Sequence, residues 1–556
     1  MGFKIGDIDH RAFAAETVFE RDVKIPLRDG TVLRGDIFRA SNAADKVPAI
    51  IAWSPYGKTG AGPLDLNIVP ARVGVPQSAL SGYESWEAPD PADWVARGYA
   101  IVNIDNRGAY GSKGDIRFWG TSEGRDGYDA IEHIAQLPWC NGRISLCGNS
   151  WLAVAQWFIA AERPPHLSCI APLEGASDIY RESICRGGVP CKPFFEFIAK
   201  QAFYGEQQQE DTVAMMDKYP LWNEYWADKR AQIDKITVPA YILASYSTGL
   251  HTVGSFRGFE EMAHEEKWLR VHTTQEWHDL YQPECIEELN RFFDYYMKDL
   301  KNGWESTPHI RVSLLGFNKD HIVNKPFTEW PVKNTEYRTL YLSQDGLSES
   351  PSAAEATFSY QSDAPAMQAD NDTDELHFSY TFSKPTSLLG YSKAILYMSC
   401  KDHTDLDVFV QLRKADKHGT LLQNLNIPIQ KLGLQPDQVE TINTMKYLGP
   451  SGILRASHRE IDAQLSKSNR PHHPHTTEQR VTPGEVVKLE IGLWPSGMLF
   501  DAGESIVFKV AGHHMTLAEF PPQRGLFTTG NKGKHWLHVG GEYPSCIVVP
   551  LLNEVH

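Results

Sequence analysis

The sequence predicts an α/β protein: a mostly parallel sheet with crossover helices, a helical insertion, and a separate all-β sandwich after it. Three observations carry this. Apolar Ile144-Ser145-Leu146-Cys147 runs through Gly148-Asn149-Ser150-Trp151-Leu152 into a helix-forming stretch, Ala153 to Ala161. That strand–turn–helix order puts a serine on a tight turn at the end of a sheet, as a nucleophile elbow does. Upstream, the buried-strand pattern Ala100 to Asp105 is followed by a turn, a loop, and a helix with apolar Ala130, Ile131, Ile134 and Leu137, and then by the strand before Ser150. This is a parallel crossover unit. After about residue 305 the pattern changes to short alternating strands broken by Gly and Pro, as in Leu406-Asp-Val-Phe-Val-Gln-Leu412, which reads as a β-sandwich.

The elements follow in order. Pro48 to Trp53 is an apolar strand ending in Ser54-Pro55-Tyr56-Gly57-Lys58. Residues 1–182 give the first part of the core. Residues 183–236 are rich in aromatics and helix formers and lie between two core strands, so they read as a cap above Ser150. Within it Phe194, Phe195, Tyr204, Trp222 and Trp226 are candidate substrate walls. Residues 237–304 return to the core with strands Pro239 to Ala244 and Trp268 to Val271, closed by the helix Pro283 to Lys298. Residues 305–556 form the sandwich, with Ile310 to Leu315 as an early strand.

Composition sets outer bounds. A chain of 556 residues exceeds one ordinary core. Its 42% hydrophobic and 22% charged residues are ordinary for a globular protein. A net charge of −16, from 54 basic and 70 acidic residues, argues against nucleic acid or anionic membrane as partners. There is no internal repeat and no apolar run long enough to span a bilayer. The N-terminal string Met1 to His10 has no apolar signal core, and Gly6 stands where a myristoylation signal wants Ser or Thr. The eight scattered cysteines lack C-x-x-C spacing and read as free thiols. A cytoplasmic location is the expectation, with a small-molecule substrate as partner and the oligomeric state left open. The string Pro471-His472-His473-Pro474-His475 lacks a ligand spacing, so no metal is assigned. No phosphate loop or dinucleotide fingerprint is complete, so no cofactor is expected.

Several strings together resemble the cocaine esterase, α-amino acid ester hydrolase and X-Pro dipeptidyl peptidase family of α/β-hydrolases. They are Arg28-Asp29-Gly30-Thr31-Val32-Leu33, Pro55-Tyr56-Gly57-Lys58, the Asp105-Arg107-Gly108 turn, Glu123 to Ile131, Pro138 to Arg143 and the Ser150 elbow. Ala171 to Gly175, Gly249 to Thr252 and Ser457-His458-Arg459 agree as well. The resemblance covers roughly residues 18 to 550. It implies an α/β-hydrolase core with an inserted helical cap and a jelly-roll-like C-terminal domain. It also implies that Tyr56 supplies one oxyanion donor beside the backbone N–H of Trp151.

A serine hydroxyl becomes nucleophilic when a histidine takes its proton and a carboxylate steadies the imidazolium; in this fold the chain order is Ser, acid, His. Ser150 is the candidate nucleophile. The resembling family places an Asp after the strand matching Pro239–Ala244, but here Ser245-Tyr-Ser-Thr-Gly-Leu-His251 has no carboxylate. Glu174, ending the next strand over, is the provisional acid, with Asp178 a weaker substitute; the alternative is a truncated Ser–His pair. His278 is taken as the base, with His272 and His251 as alternatives. The expectation is a serine hydrolase cleaving a small ester or amide through an acyl-enzyme. The missing acid keeps open non-hydrolytic chemistry such as retro-aldol cleavage, lactone rearrangement or coupling. X-Pro peptidase activity would need Glu174 or Glu182 for the substrate amine, and a non-catalytic binding protein ranks last.

Overall fold

The computed structural model describes residues 10–552, apart from 14–15, 42–45, 61, 334 and 468. The terminal strings Met1 to Asp9 and Asn553 to His556, which enter the targeting expectation, lie outside the described residues. The N-terminal half is built on a ten-stranded sheet. Its strands are β1 (Thr17–Pro26), β2 (Val32–Ala40), β3 (Val47–Ser54), β4 (Ala100–Asp105), β5 (Cys140–Asn149), β6 (Leu167–Leu173), β7 (Ala240–Ser245), β8 (Lys267–His272), β9 (Ile310–Leu314) and β10 (Ile322–Phe327). The spatial order is β1-β2-β4-β3-β5-β6-β7-β8-β9-β10. From β4 to β9 neighbouring strands run parallel; β1, β2 and β10 are antiparallel edges.

Parallel strands are buried on both faces and so read as continuous apolar runs. Ala100–Asp105 and Ala240–Ser245 are buried at every position. The helices Thr121–Ala135 and Trp151–Ala161 pack beside each other on one face. The insertion between β6 and β7 holds a two-residue-strand hairpin and the helices Lys192–Gln201, Thr212–Lys218 and Glu224–Asp228.

The sandwich packs a nine-stranded sheet against a four-stranded one. Its own core includes Leu340, Leu396, Val408, Leu412, Phe508 and Leu537. Two strands of the stretch read as sandwich, Ile310–Leu314 and Ile322–Phe327, join the first sheet instead. Ile310–Leu314, read as an early sandwich strand, pairs in parallel with β8 and extends the first sheet. Its apolar run, buried at all five positions, suits a two-sided parallel environment rather than a half-exposed one. Leu315 then bridges Met498, stitching the two domains together. Among the described residues no helix is long and apolar enough to cross a membrane. All eight cysteines are free, and six are buried.

Candidate active site

β5 ends at Asn149, and Ser150 turns the chain with φ 52° and ψ −118° before the helix Trp151–Ala161 begins. A non-glycine residue in this region carries strain of about 1–3 kcal/mol, which the surroundings must over-determine. They do so through several contacts. The Ser150 N–H donates to the Glu174 carbonyl at 2.9 Å, and Asn149 N–H donates to the Glu87 carbonyl at 3.0 Å. Glu123 Oε1 accepts from the indoles of Trp53 at 2.8 Å and Trp151 at 3.0 Å, and from Asn106 Nδ2 at 3.1 Å. The buried carboxyl of the Glu123-Gly-Arg-Asp string thus clamps the elbow helix from its first residue.

Leu152 stands where a G-x-S-x-G elbow has its final glycine, which lets helix and strand pack closely. The Leu152 side chain lies over Gly148: a Cβ on Gly148 would sit 2.5 Å from Leu152 Cδ2 and 2.9 Å from the Glu87 carbonyl oxygen. Gly148 also has φ 148°, where side chains are strained. Gly148→Ala is expected to lower unfolding free energy by at least about 2 kcal/mol, read as a drop in the urea midpoint at unchanged m-value.

Ser150 lines a narrow cavity. Its polar border includes Tyr56, Glu87, His251, Glu276 and Glu519; Leu64, Trp86, Phe197 and Phe520 are among its apolar walls. Burial lifts the Tyr56 phenol well above its ordinary pKa, with the Glu87 charge adding to this and the neighbouring Ser150 hydroxyl opposing it. Tyr56 therefore stays protonated and can donate. Its ring is fixed by stacking on Phe203 at 5.9 Å and by an edge contact with Trp151 at 6.3 Å. The Trp151 N–H belongs to the first helical turn, whose donors have no intrahelical acceptor.

The histidines are distributed in a way the sequence did not show. His278 sits on the short helix Glu276–Leu280 and donates from Nδ1 to the Val73 carbonyl at 2.7 Å; it does not border the Ser150 cavity. The helix turns it away because Trp277 takes the inward position, with its indole 3.0 Å from Glu87 Oε1. His272, the last residue of β8, gives Nε2 to Glu174 Oε1 at 2.5 Å, and its Nδ1 lies 3.0 Å from Thr274 Oγ1 and 3.4 Å from Asp279 Oδ2. Burial raises the Asp279 carboxyl, but the Arg270 and His272 charges outweigh it and hold the group below its ordinary range. His251 alone of the three borders the cavity with Ser150. Its Nδ1 is buried without a hydrogen-bond partner. Burial lowers its pKa to about 4 despite the opposing Glu174 charge, so the ring is neutral near pH 7.

Glu174 is fully buried with φ 64°, and its second oxygen accepts from Ser245 Oγ at 2.7 Å. The structure thus joins Glu174 to His272 rather than to His278. Asp178 is bound to Arg181 at 2.9 Å, and Glu182 to Arg257 at 2.7 Å, both outside this cavity. Of the cap aromatics, Phe194 reaches the cavity. Phe195 and Trp226 are buried in the cap, Tyr204 is exposed, and Trp222 lies under the Arg181 guanidinium. The helix Lys192–Gln201 explains this: positions 194, 197 and 198 share one face, and these three border the cavity. Of the clustered histidines, His473 bonds the Glu460 carbonyl and His475 bonds His458.

Two groups were missed from the sequence. Burial pushes the Glu87 carboxyl up to about 8, against Trp277, Trp86 and Ser150, which lower it; its Oε2 is buried and unpartnered. Burial lifts Glu276 well above the carboxylate range, and the Glu174, Glu87 and Glu519 charges add to this. Neither lies in a motif. A carboxylate inside an apolar string, as in Ser85-Trp86-Glu87-Ala88-Pro89, was the available signal.

Comparison with known proteins matches this architecture. The X-Pro dipeptidyl-peptidase (S15) family profile covers residues 29–278, and that of the X-Pro dipeptidyl-peptidase C-terminal non-catalytic domain covers 302–548. Cocaine esterase of a Rhodococcus species is 29% identical over 160 residues, and a putative serine esterase of Mycobacterium bovis 34% identical over 168. These stretches amount to 24% and 26% of those proteins. An α-amino acid ester hydrolase superposes with a TM-score of 0.68 at 16% identity over 99% of both chains, a likeness of fold. A CocE/NonD family hydrolase from Staphylococcus aureus superposes with a TM-score of 0.85 at 32% identity, covering 97% of this chain and 94% of that one. With nearly the whole of both chains aligned at that identity, the protein belongs to the CocE/NonD family of α/β-hydrolases.

Proposed function

We propose that the protein hydrolyses a small-molecule carboxylic ester through an acyl-enzyme on Ser150. The observation that carries this is the strained elbow: Ser150, at φ 52°, opens into a cavity beside a phenol held in its donor form. Attack on the carbonyl places negative charge on its oxygen. The Trp151 N–H and the Tyr56 hydroxyl flank the nucleophile and are suited to receive that charge without reorganising. His251 takes the Ser150 proton and returns it to the leaving alcohol; Glu174, backed by His272 and Asp279, stabilises the imidazolium by its charge. Water then repeats the cycle on the acyl-enzyme.

A second reading exchanges the base. Glu87 borders the same cavity as Ser150 and would take its proton in place of His251; its pKa of about 8 suits proton transfer near neutrality. The two bases have opposite pH signatures.

The test of the function is rapid mixing with a 4-nitrophenyl ester. A burst of nitrophenolate equal to the enzyme concentration, with a matching acyl mass on Ser150, is the expected result; steady turnover with no burst and no labelling by fluorophosphonates or sulfonyl fluorides would overturn it. Tyr56→Phe should reduce kcat about 10²-fold with little change in KM, since it removes one oxyanion donor and little ground-state binding.

A further inference from the structure

A second cavity adjoins the Ser150 cavity; both are bordered by Phe194, Ser247, Leu250, Asn443 and Glu519. The far wall of this second cavity carries Arg186. Arg186 stands on the hairpin Cys185–Arg186 and Val189–Pro190, whose turn is Gly187-Gly188 with φ 57° and 84°. Both turn residues need glycine for a further reason. A Cβ on Gly187 would lie 2.0 Å from the Ile453 carbonyl oxygen, and one on Gly188 would lie 2.6 Å from the His458 ring. The hairpin is pressed onto the sandwich strand Ser451–Arg455, and Arg455 N–H donates to the Gly187 carbonyl at 2.8 Å. The tip that bears Arg186 is therefore built into the interface between cap and sandwich.

Its guanidinium lies over the Trp494 ring, 3.2 Å from the centroid, and gives one hydrogen bond, to the Ser451 carbonyl at 3.3 Å. Among the described residues no carboxylate forms an ion pair with it. The arginines across the adjoining cleft differ: Arg257 pairs with Glu182 at 2.7 Å, Arg181 with Asp178 at 2.9 Å, and Arg470 with Glu260 at 2.5 Å. Arg186 is half-buried, and a cation so placed without a counter-charge carries a desolvation cost; burial draws its pKa well below the ordinary arginine value. Two more polar atoms in the same cavity wall are buried and have no hydrogen-bond partner among the described residues, Gln411 Oε1 and Gln523 Nε2. A planar fork, an amide donor and an amide acceptor left open together match a carboxylate with a polar group beside it. The acid in this pocket's lining, Glu519, is raised to about 7 by burial, so it opposes an incoming anion only partly at neutral pH.

We infer that Arg186 binds the carboxylate of the substrate, so that the preferred substrates are esters bearing a free carboxylate a few bonds from the scissile carbonyl, such as monoesters of dicarboxylic acids. As a statement about substrate it rests on the Ser150 acyl-transfer reading; as a statement about binding it does not.

The experiment is therefore calorimetric, on the Ser150→Ala chain, with monomethyl adipate and its neutral partner dimethyl adipate. The monoester should bind at least tenfold more tightly. Adding Arg186→Met should remove that preference while leaving dimethyl adipate unchanged, and Arg186→Lys should keep part of it. Arg186→Gln serves if the methionine variant fails to fold, as judged by its thermal transition. Equal affinities for the two esters, or a preference that survives loss of the guanidinium, would overturn the inference. So would displacement of the monoester by inorganic phosphate at lower concentration than by acetate, which would mark a phosphate site. A carboxylate preference that depends on Arg186, together with a native chain that forms no acyl-enzyme in the burst experiment, would keep the binding site and remove the hydrolase reading.

Discussion

Ser150→Ala should lower kcat/KM for any ester the native chain cleaves by a factor of about 10⁴ or more, measured as initial rates on the same ester. The argument is one of position. The backbone at Ser150 is strained, held by the Glu174 carbonyl and by the Glu123 clamp on Trp151. Alanine fits that backbone as well as serine does, so stability should change by less than about 1 kcal/mol. Loss of rate at unchanged melting temperature therefore isolates the hydroxyl. The residual rate has physical content: Tyr56 and the Trp151 amide still stabilise an oxyanion formed by direct water attack, so turnover should stay above the uncatalysed reaction. A variant that keeps more than a tenth of native activity would place the chemistry on another group of the cavity.

The layout around Ser150 was legible in the sequence wherever local pattern determines structure. The elbow, the crossover helix and the switch to alternating strands are periodicities of a single stretch, and each stands close to where it was expected. Ile310–Leu314 failed because a strand's sheet membership is a long-range property; its residues suit either environment, and pairing with β8 decided. The cap was legible as an insertion, but its wall residues were not. Phe194 and Phe195 are adjacent and chemically alike, and only the phase of their helix sends one to the cavity and the other inward.

The base shows the same limit. His251, His272 and His278 all stand at or after the ends of sheet strands. What separates them is Trp277, which takes the inward position of its helix, and the pairing of His272 with Glu174. Glu87 and Glu276 stand 189 residues apart in the chain and border one cavity only in three dimensions, where burial raises the pKa of each carboxyl.

The pH dependence of kcat/KM should be flat from about pH 5 to 7 and fall above about 8. His251 has its pKa lowered to about 4, so it is already the neutral base throughout that range. Glu87, raised to about 8, is protonated there and loses its proton above it. The carboxylate so formed adjoins Ser150 and Tyr56, where it opposes the growing oxyanion; hence the alkaline loss. Glu87→Gln removes the titration and should flatten the alkaline limb while retaining activity within about tenfold, whereas His251→Ala should cost about 10³-fold or more. If Glu87 is the base, every sign reverses: the rate climbs tenfold per pH unit up to about 8, and Glu87→Gln becomes the crippling change. Stability carries a separate signature of His251. A histidine held neutral by burial binds its proton less readily folded than unfolded, so its contribution to stability is present above about pH 6.5 and is lost as pH falls toward 4. In native protein compared with His251→Gln, the difference in unfolding free energy should shrink across that window, which separates the titration of the imidazole from that of the carboxyl at position 87.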